Sequence, residues 1–211
     1  MPSIKQDIQT DLLVWQRVAS GAQAYSSYNL DCRDKRTARI GVYFGLDSAT
    51  VPVGTQILIL SSDKDSGNDD WAVADSIITP TVAPTAFTID ANQAAGTGAV
   101  GSPILTDVSV PVVGDVALFA NGADILNSEI VTVVNRVVGG GNDSITLRYA
   151  LSKQQNTGIT YYTQAQIYQR NYDVTNMRRL TVVVNNNYAA SSPSCVIRVS
   201  LVTVFGRGYH S

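Results

Sequence analysis

The one histidine of the chain is His210, beside the C-terminal Ser211, at a position where chains are commonly poorly ordered. Triads that pair serine or cysteine with histidine, and metal sites built on imidazole, need that side chain inside a cleft, so both chemistries are close to excluded. The acids are unusual in kind: 16 of 17 are Asp, and Glu129 is the one Glu. Glycoside hydrolysis needs two carboxyl groups facing each other across a cleft. These aspartates fall mostly at turn positions, which leaves an Asp-based hydrolase as a distant alternative. Asp63, Asp65 and Asp69 have the spacing with which a calcium loop begins. Counted from Asp63, however, the twelfth position is Ala74 where a bidentate Glu belongs, and Gly67 sits one place from the favoured sixth. Asp63 to Asp70 therefore reads as an exposed hairpin turn delivering the chain into Trp71, which is expected in the core.

The remaining candidates are equally modest. No phosphate-cradling GxxxxGK[ST] is present, and Gly139 to Gly141 lies between two strand patterns, where it reads as a turn. Cys32 and Cys195 are too few for a disulfide scaffold or a structural zinc site and read as two buried thiols. Tyr149, Tyr161, Tyr162, Tyr168 and Tyr172 fall within 24 residues. They invite a sugar-stacking or base-stacking platform, but tyrosines are ordinary strand residues, and consecutive ones such as Tyr161 and Tyr162 point to opposite faces. The formal net charge of −2, from 15 Lys+Arg against 17 Asp+Glu, offers no broad positive field for nucleic acid or anionic lipid. No catalytic residue, metal or cofactor is assigned. What the sequence does offer is a small set of interface candidates: Ile4 and Ile8 as apolar anchors, with Arg178, Arg207 and Tyr209 near strand ends.

The elements that must carry these residues are strands. Val, Thr and Ile make up 59 of 211 positions, and 16 glycines punctuate them. A chain of this length buries roughly 70% of its surface on folding, enough for a core without staples. Strands are expected over Leu12–Val18, with Leu12, Val14 and Val18 on one face, and over Ser26–Asp31. Thr37–Gly45 follows, with Ile40, Val42 and Phe44 on one face, then Thr55–Ser61, apolar on both faces and hence buried on both. Residues 79–103, rich in Thr, Pro, Ala and Gly, read as a linker or exposed loop. Short strands then recur through Asp107–Val113, Val116–Phe119, Ser128–Val138 and Ser144–Leu151 at the spacing of a small barrel. Gln164–Arg170, Arg179–Asn185 and Ser194–Phe205 return to long strands, the last with Ile197, Val199, Leu201 and Thr203 facing the core.

The expected fold is thus all-β: an antiparallel sandwich of residues 12–78 and 164–211 behind an arm at 1–11, with a barrel-like module over 104–163 inserted through the 79–103 segment. No stretch is apolar and long enough to span a bilayer as a helix, and the first ten residues have no apolar run of signal-peptide length.

The order of short phrases adds to this reading. A strand pair leads into SSDKDSGNDDW; the module holds VGDVALF, NSEIVTVVNRV and SITLRYAL; NTGITYYTQAQIY and RRLTVVVNNN close the series. Over roughly residues 12 to 206 this resembles β-rich virion structural proteins of tailed bacteriophages, of the kind that cement or decorate capsids or build neck and tail attachments. The resemblance implies a non-enzymatic protein located in the virion and assembled in the host cytoplasm. It implies a homo-oligomer, with a trimer favoured, that binds the major capsid protein or other virion subunits. A neck, tail or baseplate component is the structural alternative. A carbohydrate-binding adhesin using the tyrosines is the alternative of another class.

Overall fold

The computed structural model describes residues 10–50, 54–67, 70–79, 81–106, 111–120, 124–186 and 193–205. These form an antiparallel β-sandwich carrying a barrel-like module. The front sheet has the order β1 (Thr10–Val18), β15 (Cys195–Phe205), β4 (Lys35–Leu46), β13 (Gln166–Asp173). The back sheet has the order β2 (Gln23–Tyr25), β14 (Arg179–Asn185), β5 (Gln56–Ser62), β6 (Ala72–Ile78), with β3 (Leu30–Asp31) also paired to β14.

Alternation explains the core between them. Ile40, Val42 and Phe44 of β4 and Ile197, Val199 and Leu201 of β15 turn inward from the front sheet, and Ile57, Ile59, Leu180, Val182 and Val184 meet them from the back. Thr203 is buried on the same strand. One lateral edge is closed by Asp75 of β6, whose Oδ2 accepts a hydrogen bond from the Tyr172 hydroxyl of β13 at 2.8 Å and lies 3.6 Å from Arg170 Nη1. At one end the buried amide of Asn186 donates to the carbonyls of Ala19 (3.0 Å) and Pro193 (2.9 Å) and accepts from Thr55 Oγ1 (2.6 Å), tying three connections together.

The module is a six-stranded sheet in the order β7 (Ala86–Phe87), β12 (Tyr161–Tyr162), β9 (Val116–Phe119), β10 (Glu129–Val137), β11 (Asp143–Leu147), β8 (Ile104–Thr106). A bridge between Ile89 and Thr106 brings its last strand back to the segment following its first, so the sheet nearly closes. Its interior is aromatic: Tyr161 stacks on Phe119 with centroids 4.6 Å apart, and Phe87 meets Phe119 edge-on at 5.6 Å. The module sits on the outer face of the front sheet, where Trp15 and Val196 pack with Leu118, Ala120 and Ala165. No helix among the described residues is long and apolar enough to cross a membrane.

Several expectations are corrected by this arrangement. In β1, register shifts between Asp11 and Leu13 and between Leu13 and Gln16 break the alternation, so Leu12 and Leu13 are both buried and Val14 is exposed. Leu58 and Leu60 are only half-buried, because nothing among the described residues covers the outer face of the back sheet as the front sheet covers its inner one. Of the strand expected over Ser26–Asp31 only Leu30–Asp31 is extended, as β3; residues 26–29 connect it to β2, which lies before the expected span. The 79–103 segment contributes β7, and its Phe87 and Ile89 are buried in the module core. Pro111 to Asp115 are not in a strand, and residues 107–110 lie outside the described residues.

Candidate interaction surfaces

Of the interface candidates, Ile4, Ile8, Arg207 and Tyr209 lie outside the described residues, as does His210. Arg178 is exposed just before β14, and its backbone is engaged on both sides: its N–H donates to Ser62 O (2.8 Å) and its carbonyl accepts from Cys32 N (2.9 Å). Its neighbour Arg179 proves more informative. Arg179 Nε donates to Lys64 O (2.7 Å), Nη1 to Gly67 O (3.0 Å), and Nη2 to Ser62 Oγ (3.2 Å) and Asp70 Oδ1 (3.4 Å). The guanidinium also lies 4.6 Å from the centre of the Trp71 ring. The aspartate-rich turn is thus wrapped around an arginine supplied by another strand. Trp71 is half-buried beneath that arginine, a correction to its expected place in the core: the turn displaces it to the rim of the back sheet. Asp63 and Asp65 are exposed, and among the described residues no group of three or more acidic, cysteine or histidine side chains could hold a metal ion.

The tyrosines do not share a platform. Tyr161 is buried inside the barrel, where its hydroxyl donates to Asn156 O at 2.6 Å, and burial pushes its pKa up to about 12. Tyr168 and Tyr172 pack against the sandwich core, while Tyr149 is exposed on the module beside Arg148. Cys32 and Cys195 are both free and buried; burial raises the first to about 11 and the second to about 12.

Two surfaces stand out. The first is the outer face of the back sheet, where cross-strand register aligns side chains in rows: Tyr25, Val183, Leu58 and Ser76; Thr181, Leu60 and Val73; and Gln23, Asn185, Gln56 and Ile78. Tyr25, Val73 and Ile78 are 62%, 61% and 51% exposed, and none of the eleven side chains is charged. The alternation of β14 and β5 already held this face. What hid it was the expectation that an all-apolar strand is covered on both sides.

The second is a cleft of about 460 Å³ between the outer face of the front sheet and the module. Trp15, Tyr43 and Arg198 form its sandwich wall, and Glu129, Ile130 and Lys153 belong to its module wall. Arg198 donates from Nε to Asp11 Oδ1 at 3.0 Å and lies 5.5 Å from the centre of the Tyr43 ring, which meets Trp15 edge-on at 6.3 Å. Glu129 accepts from Ser152 N (3.0 Å), Ser152 Oγ (2.9 Å), Lys153 N (3.1 Å) and Gln155 Nε2 (3.0 Å). The lone glutamate therefore fixes the loop that carries Lys153. These residues come from five separate stretches of chain, so only the antiparallel pairing of β4 with β15 and the docking of the module could bring them together.

No family model matches the chain, and comparison with the curated proteins and with the solved structures returns no match.

Proposed function

We propose that the chain is a non-enzymatic structural subunit of a tailed-bacteriophage virion, most directly a capsid cement or decoration subunit, that associates with copies of itself as a cyclic trimer and with the major capsid protein. The observation that carries the assembly reading is the block of eleven uncharged side chains on the outer face of the back sheet. Six of its eleven aligned side chains are apolar, with Tyr25, Val73 and Ile78 more than half exposed, and apolar groups left in water in such numbers on one sheet mark association sites. Its aligned rows have no ionic group to desolvate, the ionic groups lying at one end where Arg179 is already paired with Asp70, so the occupant we assign to it is another copy of the chain, repeated by symmetry. The phage assignment is supported by the sequence resemblance alone.

The test has two arms. Light scattering on the purified protein should give a trimer, and Val73→Asp, at an exposed position, should give a monomer that keeps the wild-type far-ultraviolet circular dichroism. A wild-type monomer at every concentration, or a variant that still forms the trimer, overturns the assembly reading. Immunogold labelling of virions produced by the phage that encodes the chain should decorate the capsid. Unlabelled particles overturn the virion reading, and label confined to neck or tail overturns the capsid assignment.

A further inference from the structure

The front sheet ends at β13 and the back sheet at β6 on the same flank of the sandwich, and we infer that Asp75 guards this flank, keeping the backbone edge of β6 from pairing with the same edge of a second copy of the chain. The inference concerns a strand edge and not the sheet face, so it stands or falls apart from the assembly reading.

Neither strand has a second strand partner among the described residues. β13 carries Arg170 and Asp173, whereas Asp75 is the one charged residue among the seven of β6. β6 has no proline, and its Val73 and Ile78 are more than half exposed. An edge so long, so poor in charge and so rich in β-branched residues is a template for another strand.

Three features put Asp75 in the way. The Thr79 N–H donates to Thr55 O at 3.0 Å, and the ladder then sets Ile77 opposite Ile57, Ser76 opposite Leu58 and Asp75 opposite Ile59. Backbone bonds join every second pair of an antiparallel ladder, so Ile77 and Asp75 bond to β5 while Ser76 turns its N–H to the free edge. That N–H donates to Asp75 Oδ1 at 2.8 Å, so a donor that an incoming strand would need is already taken. Secondly, Asp75 shares its face with Ile59 and Ile57, the face turned to the core. Tyr172 and Arg170 of β13 hold its Oδ2 there, and its side chain keeps 23% exposure. A strand laid along β6 would cover this carboxylate and take it out of the water it still has, a cost that no new partner repays. Thirdly, the register shift beside Asp75 leaves Ala74 without an opposite residue, which bends the edge. Arg170, opposite Ile40 of β4, is the matching inward charge on the edge of β13.

Light scattering over a concentration series, with far-ultraviolet circular dichroism as the check on folding, compares each full-length variant with the wild type, whatever mass the wild type has. Asp75→Val should raise the mass to about twice the wild-type value or more as concentration increases. Adding Ser76→Pro to Asp75→Val should restore the wild-type mass, because proline removes the N–H that faces the free edge and takes no bond from β5. Asp75→Asn keeps an acceptor for the Ser76 N–H and loses the charge. It should associate more than the wild type and less than Asp75→Val, and it carries the test if valine unfolds the chain. Wild-type mass in every folded single variant, or a double variant as large as Asp75→Val alone, would overturn the inference. A wild type that is monomeric bears on the assembly reading and leaves these comparisons intact.

Discussion

Gly45 of β4 and Leu118 of β9 approach so closely that a Cβ on the glycine would lie 2.7 Å from both Cβ and Cδ2 of the leucine. This contact seats the module on the sandwich: Val196, opposite Gly45 in the ladder, is fully buried in the same cluster as Leu118 and Trp15. Gly45→Ala forces either the front sheet or β9 to move, because the atom in the way is a buried Cβ and not the end of a flexible chain. A cost of about 1 to 3 kcal/mol is expected. Gly140→Ala, at a turn position with open space around the added atom, should stay within about 0.5 kcal/mol of wild type. Denaturant unfolding of the two variants checks the contrast. Equal stabilities would mean that the two bodies yield to each other without strain.

Arg179 does for the aspartate-rich turn what a bound cation would do, gathering two carbonyls, a hydroxyl and a carboxylate around one positive charge. Its planar fork makes these bonds in several directions at once, which an ammonium cannot reproduce. Arg179→Lys should therefore cost about 1 to 3 kcal/mol and expose the peptide bond after Lys64 to trypsin. Trp71→Ala should cost less than the roughly 3 to 5 kcal/mol of a fully buried aromatic. Limited proteolysis and thermal unfolding provide the readout, and a variant whose turn is cut no faster than wild type would show that the turn holds itself.

The inward faces of β4 and β15 are legible because alternation over seven or more residues leaves one register that buries the apolar set. Ile40, Val42, Phe44, Ile197, Val199 and Leu201 all follow it. In β1 the same rule failed, since two register shifts are invisible to a period of two. Phe87 and Ile89 were overlooked because strands of two residues leave no periodic trace; barrel closure, a non-local event, buries them. Trp71 was misplaced because its partner, Arg179, lies more than a hundred residues away. The cleft escaped for the same reason: Trp15, Tyr43, Glu129 and Arg198 become neighbours only through sheet pairing and module docking.

Cys32 and Cys195 should be inert toward thiol reagents in the native protein. Burial raises them to about 11 and about 12, so near pH 8 almost none of either is present as the reactive thiolate, and neither sulfur is solvent-accessible as a side chain. A chromogenic disulfide reagent should titrate two thiols per chain in denaturant and none rapidly without it. Native labelling should then follow opening of the sandwich, and should quicken in variants that destabilise it. One equivalent reacting at once in native buffer would place a cysteine at the surface.

Tyr161 makes stability depend on alkaline pH. Its phenol is held neutral inside the barrel, with the folded value pushed up by burial to about 12 against 10.0 for the free side chain. Between those values the folded chain retains a proton that the unfolded chain has lost, so unfolding becomes easier as pH rises. Its contribution is complete below about pH 10 and lost as pH climbs toward 12. Tyr172 acts in the same direction, through burial and its hydrogen bond to Asp75. Tyr161→Phe should lose about 1 kcal/mol near pH 8 through the missing hydrogen bond to Asn156 O, and should then fall less steeply than wild type between pH 9.5 and 11.5. Urea unfolding at a series of pH values gives both slopes, and parallel curves for the two proteins would mean that Tyr161 titrates normally in the fold.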